Sequence, residues 1–269
     1  MKELVLSETG LERWRETIVQ AISDFVKETG AKGAVLGLSG GVDSALVGAL
    51  AKEALGNRLE ALVMPVSGVS KSEDLEHAAL ISAKFGITSR VIELKEAATA
   101  VKNAFPDMIK NSGEGGFHAR ANIAPRLRML FNYAAANLNN LVVLGTGNKT
   151  ELLLGYFTKY GDGGVDFLPI GDLYKSQVHQ LAEHMQVPRE VIDKPPSAGL
   201  WHGQTDEEEL GESYEILDQI LYHTVEEGRG ADETAKIMGI NVKRVQRIIG
   251  LVESGHHKRA MPEIVKLPE

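Results

Sequence analysis

The sequence predicts an α/β fold: a doubly wound, mostly parallel sheet flanked by helices, with a helical extension at its C-terminal end. Short apolar runs alternate with segments of helical periodicity over most of the chain, a pattern typical of βαβ units and a parallel sheet. After residue 204 only helical patterns follow. We therefore expect residues 1–204 to form an α/β domain that begins with a helix. Residues 205–269 should form a helical extension packed on the same unit.

Four short apolar runs are expected to form the strands of this sheet, at residues 34–38, 59–64, 90–94 and 141–144. The spacing of apolar residues predicts helices at about 45–55, 73–85, 95–110 and 125–138, after an N-terminal helix that ends near Gly30. Pro125 is compatible with the first turn of its helix, because the N–H that proline lacks would have no intrahelical partner there.

The C-terminal extension is expected to begin with a helix that a capping box of Thr205 and Glu208 opens. Two shorter helices should follow at 232–238 and 242–254. Residues 233–248 resemble a helix-turn-helix with Gly239 at the turn. This segment leaves two interpretations open, a DNA-binding module or a helical hairpin packed on the core or on a partner subunit.

The composition excludes several classes of function. The chain has 269 residues, a net charge of −8 and no Cys. Without Cys there can be no thiolate nucleophile, no Cys-based zinc site and no iron–sulfur cluster. The acidic balance disfavours a nucleic-acid partner. No apolar run is long enough to span a membrane, so we expect a cytoplasmic protein with no membrane partner.

The loop at residues 39–44 is the strongest local signal of function. It joins the first strand directly to a helix, and ligands of open parallel sheets bind at the carboxyl ends of the strands. Gly40 and Gly41 allow a close backbone approach, while the helix start offers unpaired N–H groups to an anion. Asp43 would repel a phosphate, so its expected role is to hold Mg²⁺ against one. The alternative is a tight turn capped by serine. The loop lacks the pattern of a Walker A motif.

The segment at residues 122–129 carries Arg126 and Arg128. Residues two apart on a helix diverge, so the two guanidinium groups should serve different acceptors. Arginine matches carboxylate and phosphate oxygens. The alternative is a pair of solvated surface side chains.

Two later segments also carry candidate site residues. The first follows the fourth predicted strand, and the second contains a glycine turn. At residues 145–151, Thr146 is positioned to donate to a nucleotide, and Glu151 to share Mg²⁺ with Asp43; alternatively Glu151 only complements the helix dipole. At residues 155–166, aromatic residues, Lys159 and a glycine turn precede Asp166. That mixture is unusual for a plain surface loop.

The loop at 39–44 resembles the pyrophosphate loop of the ATP pyrophosphatase superfamily, whose members cleave ATP between the α and β phosphates. With the other segments, the chain resembles the NAD synthetase family. The motifs that carry this resemblance lie at residues 39–44, 126–129, 146–151, 157–166, 174–178, 196–200 and 257–259. Pro125 departs from the family pattern, which usually has Ala before the first Arg.

The resemblance implies roles for particular residues. ATP would contact Gly37, Leu38, Ser39, Gly40, Gly41, Val42, Asp43, Ser44, Thr146, Lys175 and Ser197. Asp43 and Glu151 would bind Mg²⁺. The dinucleotide acid would contact Arg126, Lys159, Asp166, His257 and Lys258. Among these, Asp43 and Lys175 would assist the reaction electrostatically, and Asp166 is our candidate for receiving a proton from ammonium.

The implied reaction is the amidation of nicotinic acid adenine dinucleotide through an acyl-adenylate, with ATP and ammonia as co-substrates and AMP and pyrophosphate released. Because glutamine-dependent forms need a further domain with a Cys nucleophile, we expect the nitrogen to come from free ammonia or from an ammonia-donating partner. By resemblance we expect a homodimer with the dinucleotide site at or near its interface. Separately, we expect the loops at residues 111–116 and 194–204 to be mobile lids that become ordered when ATP binds. A tRNA-modifying thiolase and a non-catalytic nucleotide-binding regulator are the remaining alternatives.

Overall fold

The computed structural model describes residues 4–197, 199–201 and 203–267. Its centre is a four-stranded parallel sheet in the order β3-β2-β1-β4. The strands are β1 Gly33–Gly37, β2 Leu59–Val63, β3 Thr88–Val91 and β4 Leu141–Leu144. In the register, Ala34 of β1 faces Leu59 on one side and Val142 on the other. The predicted parallel α/β sheet is confirmed.

The helices of the α/β part are α1 Glu8–Glu28, α2 Val42–Leu55, α3 Ser72–Phe85, α4 Lys95–Ala104, α5 Asp107–Lys110, α6 Glu114–Ala121, α7 Ile123–Asn139, α8 Lys149–Leu154, α9 Lys175–His184 and α10 Arg189–Ile192. Those that follow are α11 Asp206–Leu210, α12 Tyr214–Leu221, α13 Ala231–Met238, α14 Val242–Ser254 and α15 His256–Arg259, with a π-helical turn at Tyr222–Glu226. Within the described ranges, no helix is both long and apolar enough to cross a membrane.

Helices cover both faces of the sheet, as the doubly wound prediction requires. Alternate residues of a strand point to opposite faces. Ala34 and Leu36 belong to the core formed with α1, α2 and α9, whereas Val35 and Val143 belong to the core formed with α7. Because β1 is buried on both faces, its sequence is a continuous apolar run rather than an alternating one.

Three of the predicted elements are wrong in their bounds. The third strand lies at 88–91 instead of 90–94, because it is an exposed edge strand and the apolar Leu94 is buried beyond its end. The helix predicted at 95–110 ends at Ala104, since Pro106 interrupts it before α5. Part of the glycine-rich segment at 111–116 is helical, because α6 begins at Glu114.

The C-terminal extension differs from the prediction in its first helix. Thr205 is the N-cap residue of α11, but its side chain makes no capping hydrogen bond, so the predicted capping box is wrong. The helix then ends at Gly211, whose φ of +70° is left-handed, and α12 starts afresh.

The helix-turn-helix pattern is a packed helical hairpin. Helices α13 and α14 meet at Gly239, whose φ is +66°. Arg244 donates to Glu212 at 2.6 Å, and Arg247 donates to the carbonyl of Leu210 at 2.6 Å. Two of the basic side chains that a DNA-binding module would use are thus bonded within the chain. Buried residues of α12–α14 share a core with Leu154 and Tyr174, so the division at residue 204 stays a prediction.

Gly40 should be the least replaceable residue of the loop after β1. Its φ is +80°, and a Cβ added there would lie 2.3 Å from the carbonyl oxygen of Asp74 on α3. We expect Gly40→Ala to lose about 1–2 kcal/mol from the left-handed backbone alone, and more from the displaced contact. Urea unfolding measures both.

The matched control for this substitution is Gly30→Ala. Gly30 has a similar φ of +69° but no atom within 4 Å of an added Cβ, so this variant should show only the backbone cost. Equal losses of unfolding free energy in the two variants would contradict the close approach of the loop to α3.

Candidate functional site

A cavity of about 290 Å³ opens at the carboxyl edge of the sheet. The loops after β1, β2 and β4 all contribute to it, as the topology of the predicted sheet requires. Of the residues that the sequence assigned to ATP and Mg²⁺, those lining the cavity are Gly37, Leu38, Ser39, Gly41, Val42, Asp43, Ser44, Thr146, Glu151, Lys175 and Ser197. The fold therefore brings together nearly the whole predicted nucleotide set, from segments far apart in the chain.

The loop after β1 is fixed by its own hydroxyl groups. The Oγ atoms of Ser39 and Ser44 lie 3.0 Å apart, and Ser44 Oγ donates to the carbonyl of Gly41 at 3.0 Å. Gly41 is the N-cap residue of α2, and no side-chain capping hydrogen bond is formed there among the described residues. The N–H groups of the first turn of α2 are therefore available to an anion in the cavity.

A lysine ammonium lies between two carboxylates at the floor of the cavity. Lys175 Nζ is 2.5 Å from Asp43 Oδ2 and 3.9 Å from Glu151 Oε1. Only 3% of the Lys175 side chain is exposed. These three groups come from the starts of α2, α8 and α9, and together they form a compact cluster of charges beside the loop after β1.

The charges in this cluster change one another's titration. Burial would lower the pKa of Lys175, but the carboxylates of Asp43 and Glu151 outweigh burial and raise it. Burial raises the pKa of Glu151 to about 8, and the negative charge of Asp43 adds to this shift. Glu151 is thus a carboxylate whose ionised form needs further positive charge nearby.

Asn148 is a site residue that the sequence analysis missed. It caps α8 by accepting from the N–H of Glu151 at 3.0 Å, while Glu151 Oε2 accepts from the N–H of Asn148 at 3.2 Å. Its side-chain amide also donates to Asp43 Oδ1 at 2.9 Å. The Asn-x-x-Glu spacing indicates this capping box, but no local pattern indicates the bond to Asp43.

The two arginines of α7 diverge, as their spacing predicts. The helix begins at Ile123, so Pro125 lies in its first turn as expected. Arg126 is exposed and is 3.4 Å from the carbonyl of Lys159. Arg128 lines the cavity instead, donates to the carbonyl of Met64 at 3.1 Å, and has its pKa lowered by burial. The sequence analysis assigned no ligand to Arg128 in particular.

The residues predicted to contact the dinucleotide acid do not line the cavity. Lys159 Nζ donates to the carbonyl of His257 at 2.5 Å. Lys258 Nζ donates to the carbonyls of Gly155 and Phe157 at 2.6 and 2.9 Å. These contacts join the segment after α8 to α15, and neither lysine lines the cavity. Their assignment to the substrate stays a prediction.

Asp166 lies along the outer edge of β4 and does not line the cavity, although the adjacent Val165 does. Its carboxylate accepts from Tyr133 Oη and from the N–H of Val143, both at 2.8 Å. Phe167 then forms a parallel bridge with Leu144. Both carboxylate oxygens of Asp166 therefore accept hydrogen bonds at this edge. The role of Asp166 in proton transfer stays a prediction.

The predicted lid at 194–204 forms one wall of the cavity, although residues 198 and 202 lie outside the described residues. Lys194 forms an ion pair with Asp74. Trp201 packs edge-on against Phe117 of α6, with ring centroids 5.0 Å apart. Helix α6 and the cavity wall at 194–204 therefore contact one another. The wall is expected from the sequence, but Asp74 is not, because it lies in the first turn of α3 rather than in a glycine loop.

Comparison with known proteins agrees with this arrangement. The family model described as NAD synthase matches residues 14–262. An NH₃-dependent NAD⁺ synthetase of Archaeoglobus fulgidus is 47% identical over 257 residues, covering 94% of this chain and 97% of the relative. A synthetase of the same name from Pyrococcus horikoshii is 42% identical, with 92% and 93% of the two chains covered.

Solved structures share the same architecture over almost the whole chain. An NMN synthetase from Francisella tularensis superposes with a TM-score of 0.83 and 33% identity, covering 98% of this chain and all of that one (100%). An NH₃-dependent NAD synthetase from Campylobacter jejuni has a TM-score of 0.79 and 30% identity, covering 97% and 100%. From its cavity, its charge cluster and these matches, we conclude that the chain belongs to the NAD synthase family.

Proposed function

We propose that this chain is an ATP-dependent ligase that forms the amide of NAD from nicotinic acid adenine dinucleotide and ammonia. The observation that carries the proposal is the placement of Lys175, Asp43 and Glu151 beside the open N-terminus of α2 in one cavity. Such a site suits a nucleoside triphosphate, whose phosphates need both backbone N–H groups and cations. The relatives named NH₃-dependent NAD⁺ synthetase support the nitrogen source and the product.

The chemistry explains why ATP is needed. The carboxylate of the substrate is a poor electrophile, because an oxide ion would have to leave. Attack of a carboxylate oxygen on the α-phosphate forms an acyl-adenylate and breaks the bond to pyrophosphate. Ammonia then attacks the acyl carbon, loses a proton, and AMP leaves with the C–O bond electrons, giving the amide.

The residues of the chain act on this reaction through charge and position. The first-turn N–H groups of α2 would hold the departing pyrophosphate, and Lys175 would neutralise charge that builds up on the phosphates. Arg128 lines the same cavity and would bind a further phosphate or carboxylate oxygen. No protein nucleophile is required, which agrees with a chain that contains no Cys.

The donor set at Asp43 and Glu151 fits a magnesium ion that arrives with the nucleotide. Within the described ranges, no group of three or more Asp, Glu or His could hold a metal ion. Mg²⁺ commonly uses one or two carboxylates together with phosphate oxygens and water, and the raised pKa of Glu151 indicates a carboxylate short of positive charge. When bound, the ion would supply charge neutralisation for the triphosphate.

We propose that the dinucleotide acid binds where Arg126, Lys159 and His257 come together, and that a homodimer completes this part of the site. Arg126 and Lys159 are linked through the Lys159 carbonyl, and Lys159 binds the His257 carbonyl. Tyr160, beside them, is 55% exposed. The dimer, the role of Asp166 and a cytoplasmic location stay predictions.

Other substrates of the same chemical class need a direct comparison. The similarity to a protein named NMN synthetase makes nicotinic acid mononucleotide the competing acid. The tRNA-modifying alternative is not favoured, because the family match covers residues 14–262. A regulator that only binds nucleotide would leave ATP intact.

One incubation with ATP, Mg²⁺ and ammonium, with either the dinucleotide or the mononucleotide acid, separates these possibilities. We expect AMP, pyrophosphate and NAD in equal amounts, with kcat/KM higher for the dinucleotide. Chromatography of the products is the measurement. Formation of ADP would contradict cleavage between the α and β phosphates, and a preference for the mononucleotide would contradict the proposed substrate.

Asp43→Asn should bind the dinucleotide acid normally yet lower kcat by about two to three decades, since it removes a carboxylate from the metal and from Lys175. Isothermal titration and product formation measure the two effects separately. Asp172→Asn is the control, because Asp172 is an exposed carboxylate that binds Lys149 on the surface. A normal kcat in Asp43→Asn would reject the metal assignment.

Glu151→Gln should stabilise the protein when divalent ions are absent. Between pH 4.5 and about 8 the folded chain holds the Glu151 proton more tightly than the unfolded chain does, so unfolding free energy falls as pH rises. The variant lacks this loss, and its advantage over wild type should grow by more than about 1 kcal/mol across that window.

Urea unfolding in a chelator at several pH values measures this advantage, with the exposed Glu16→Gln as the surface control. Adding Mg²⁺ at the upper end of the window should stabilise wild type more than Glu151→Gln. An advantage that is the same at every pH would show that the ionised Glu151 carries no penalty.

A further inference from the structure

Helix α12 of the C-terminal extension contacts the ammonium group of Lys175 directly, and it reaches the Lys175 backbone through Thr150. We infer that Asp218 and Tyr214 of α12 are positioning residues for Lys175, so that the C-terminal helices set the geometry of the charge cluster. The inference rests on the proposed function of Lys175, and goes beyond it by assigning what places that side chain.

Asp218 joins the two helix starts that carry the cluster. Its side chain is fully buried. Oδ1 accepts from Thr150 Oγ1 at 2.5 Å, and Oδ2 accepts from the N–H of Ser176 at 2.8 Å. Thr150 Oγ1 in turn accepts from the N–H of Lys175 at 3.0 Å. One carboxylate thereby fixes the residues that neighbour Glu151 in α8 and Lys175 in α9.

Tyr214 holds the other end of the lysine. It lies one turn before Asp218 on α12, on the same face of the helix. The ammonium of Lys175 is 5.2 Å from the centroid of the Tyr214 ring, within the range of a cation–π contact. The phenol oxygen donates to Asp206 Oδ2 at 3.0 Å, which orients the ring. Helix α12 thus contacts the tip of the long lysine side chain through Tyr214 and constrains its base indirectly, through Asp218 and Thr150.

Burying the Asp218 carboxylate between two helices has a desolvation cost. An apolar residue would pack at the same place without the desolvation cost, but it could not bond to Thr150 and to the Ser176 N–H at once. The carboxylate also lies at the N-terminus of α9, where the helix dipole favours negative charge. The arrangement defines how α8 and α9 are oriented, because directional hydrogen bonds fix the relative rotation of two helices and non-directional packing does not.

A small displacement of Lys175 should therefore slow the reaction. Lys175 Nζ is 2.5 Å from Asp43 but 3.9 Å from Glu151, so a shift of about 1 Å changes which carboxylate it neutralises. Misplacement on that scale can cost about a hundredfold in rate. Binding of the dinucleotide acid, whose predicted residues lie elsewhere, should change little.

The test compares two substitutions at Thr150. Thr150→Val keeps the shape but removes the hydroxyl, and should lower kcat for AMP formation about ten- to hundredfold with the KM for the dinucleotide acid nearly unchanged. Thr150→Ser keeps the hydroxyl but removes a buried methyl group, and should retain kcat within about threefold. Circular dichroism at the assay temperature verifies that both are folded.

Thr234→Val is the matched control. Thr234 is another fully buried threonine, in α13, and its hydroxyl has no hydrogen-bond partner among the described residues. Its replacement should leave kcat unchanged. Equal kcat values for Thr150→Val and Thr150→Ser, or an equal loss in Thr234→Val, would overturn the inference, because the effect would then follow core packing rather than the hydrogen bond.

Asp218→Asn provides an independent test. Alone it should lower kcat as Thr150→Val does, and the double variant should be no slower than the slower single variant, since both act through one network. Fully additive losses would contradict a shared network. If Asp218→Asn does not fold, the Thr150 pair still decides the question.

Lys175→Met separates this inference from the proposed function. A loss of kcat in Lys175→Met together with a normal Thr150→Val would reject the positioning role and leave the proposed function standing. A normal kcat in Lys175→Met would reject the role of Lys175 in that function.

Discussion

The ion pair between Asp43 and Lys175 is the interaction on which the site depends. It connects the start of α2 to the start of α9, two helices whose first residues are distant in sequence but adjacent at one edge of the sheet. A buried charge is tolerated only when it is paired and hydrogen-bonded, so each partner requires the other. Asn148 and Glu151 contact this pair, and the loop after β1 leads directly into the helix that carries Asp43.

The sheet and the loops at its carboxyl edge could be predicted from the sequence, because the features that indicate them are local. A strand that is buried on both faces is an apolar run, and the Ser-Gly-Gly that follows the first strand indicates a turn into a helix. Parallel topology then brings the loops after β1, β2 and β4 to the same edge without further information. The errors also have local causes. Apolar character indicates burial and not strand pairing, so the third strand was predicted too close to the buried Leu94. The helix predicted at 95–110 was too long because Pro106 ends it although the apolar periodicity continues.

The rest of the site could not be predicted because it depends on contacts between distant segments. Arg126 and Arg128 are equivalent in the sequence, and only the packing of α7 decides that Arg128 faces the cavity. Asp218 lies in an ordinary amphipathic helix, and nothing near it indicates that its carboxylate bonds to α8 and α9. Residues that position other residues leave no pattern of their own, in contrast to glycine loops.

The two edges of the sheet differ in a way that affects how variants of Asp166 should be interpreted. Strand β3 is short and exposed, and a charged arginine occupies it, features that discourage pairing with another molecule. Strand β4 is apolar, and its outer edge is covered by Asp166 and Phe167. Removing the Asp166 carboxylate would leave the N–H of Val143 without its acceptor and weaken the cover of this apolar edge, which backbone hydrogen bonds would still hold. Inactivity of such a protein would then reflect aggregation as readily as lost chemistry, and solubility has to be established before any catalytic meaning is assigned.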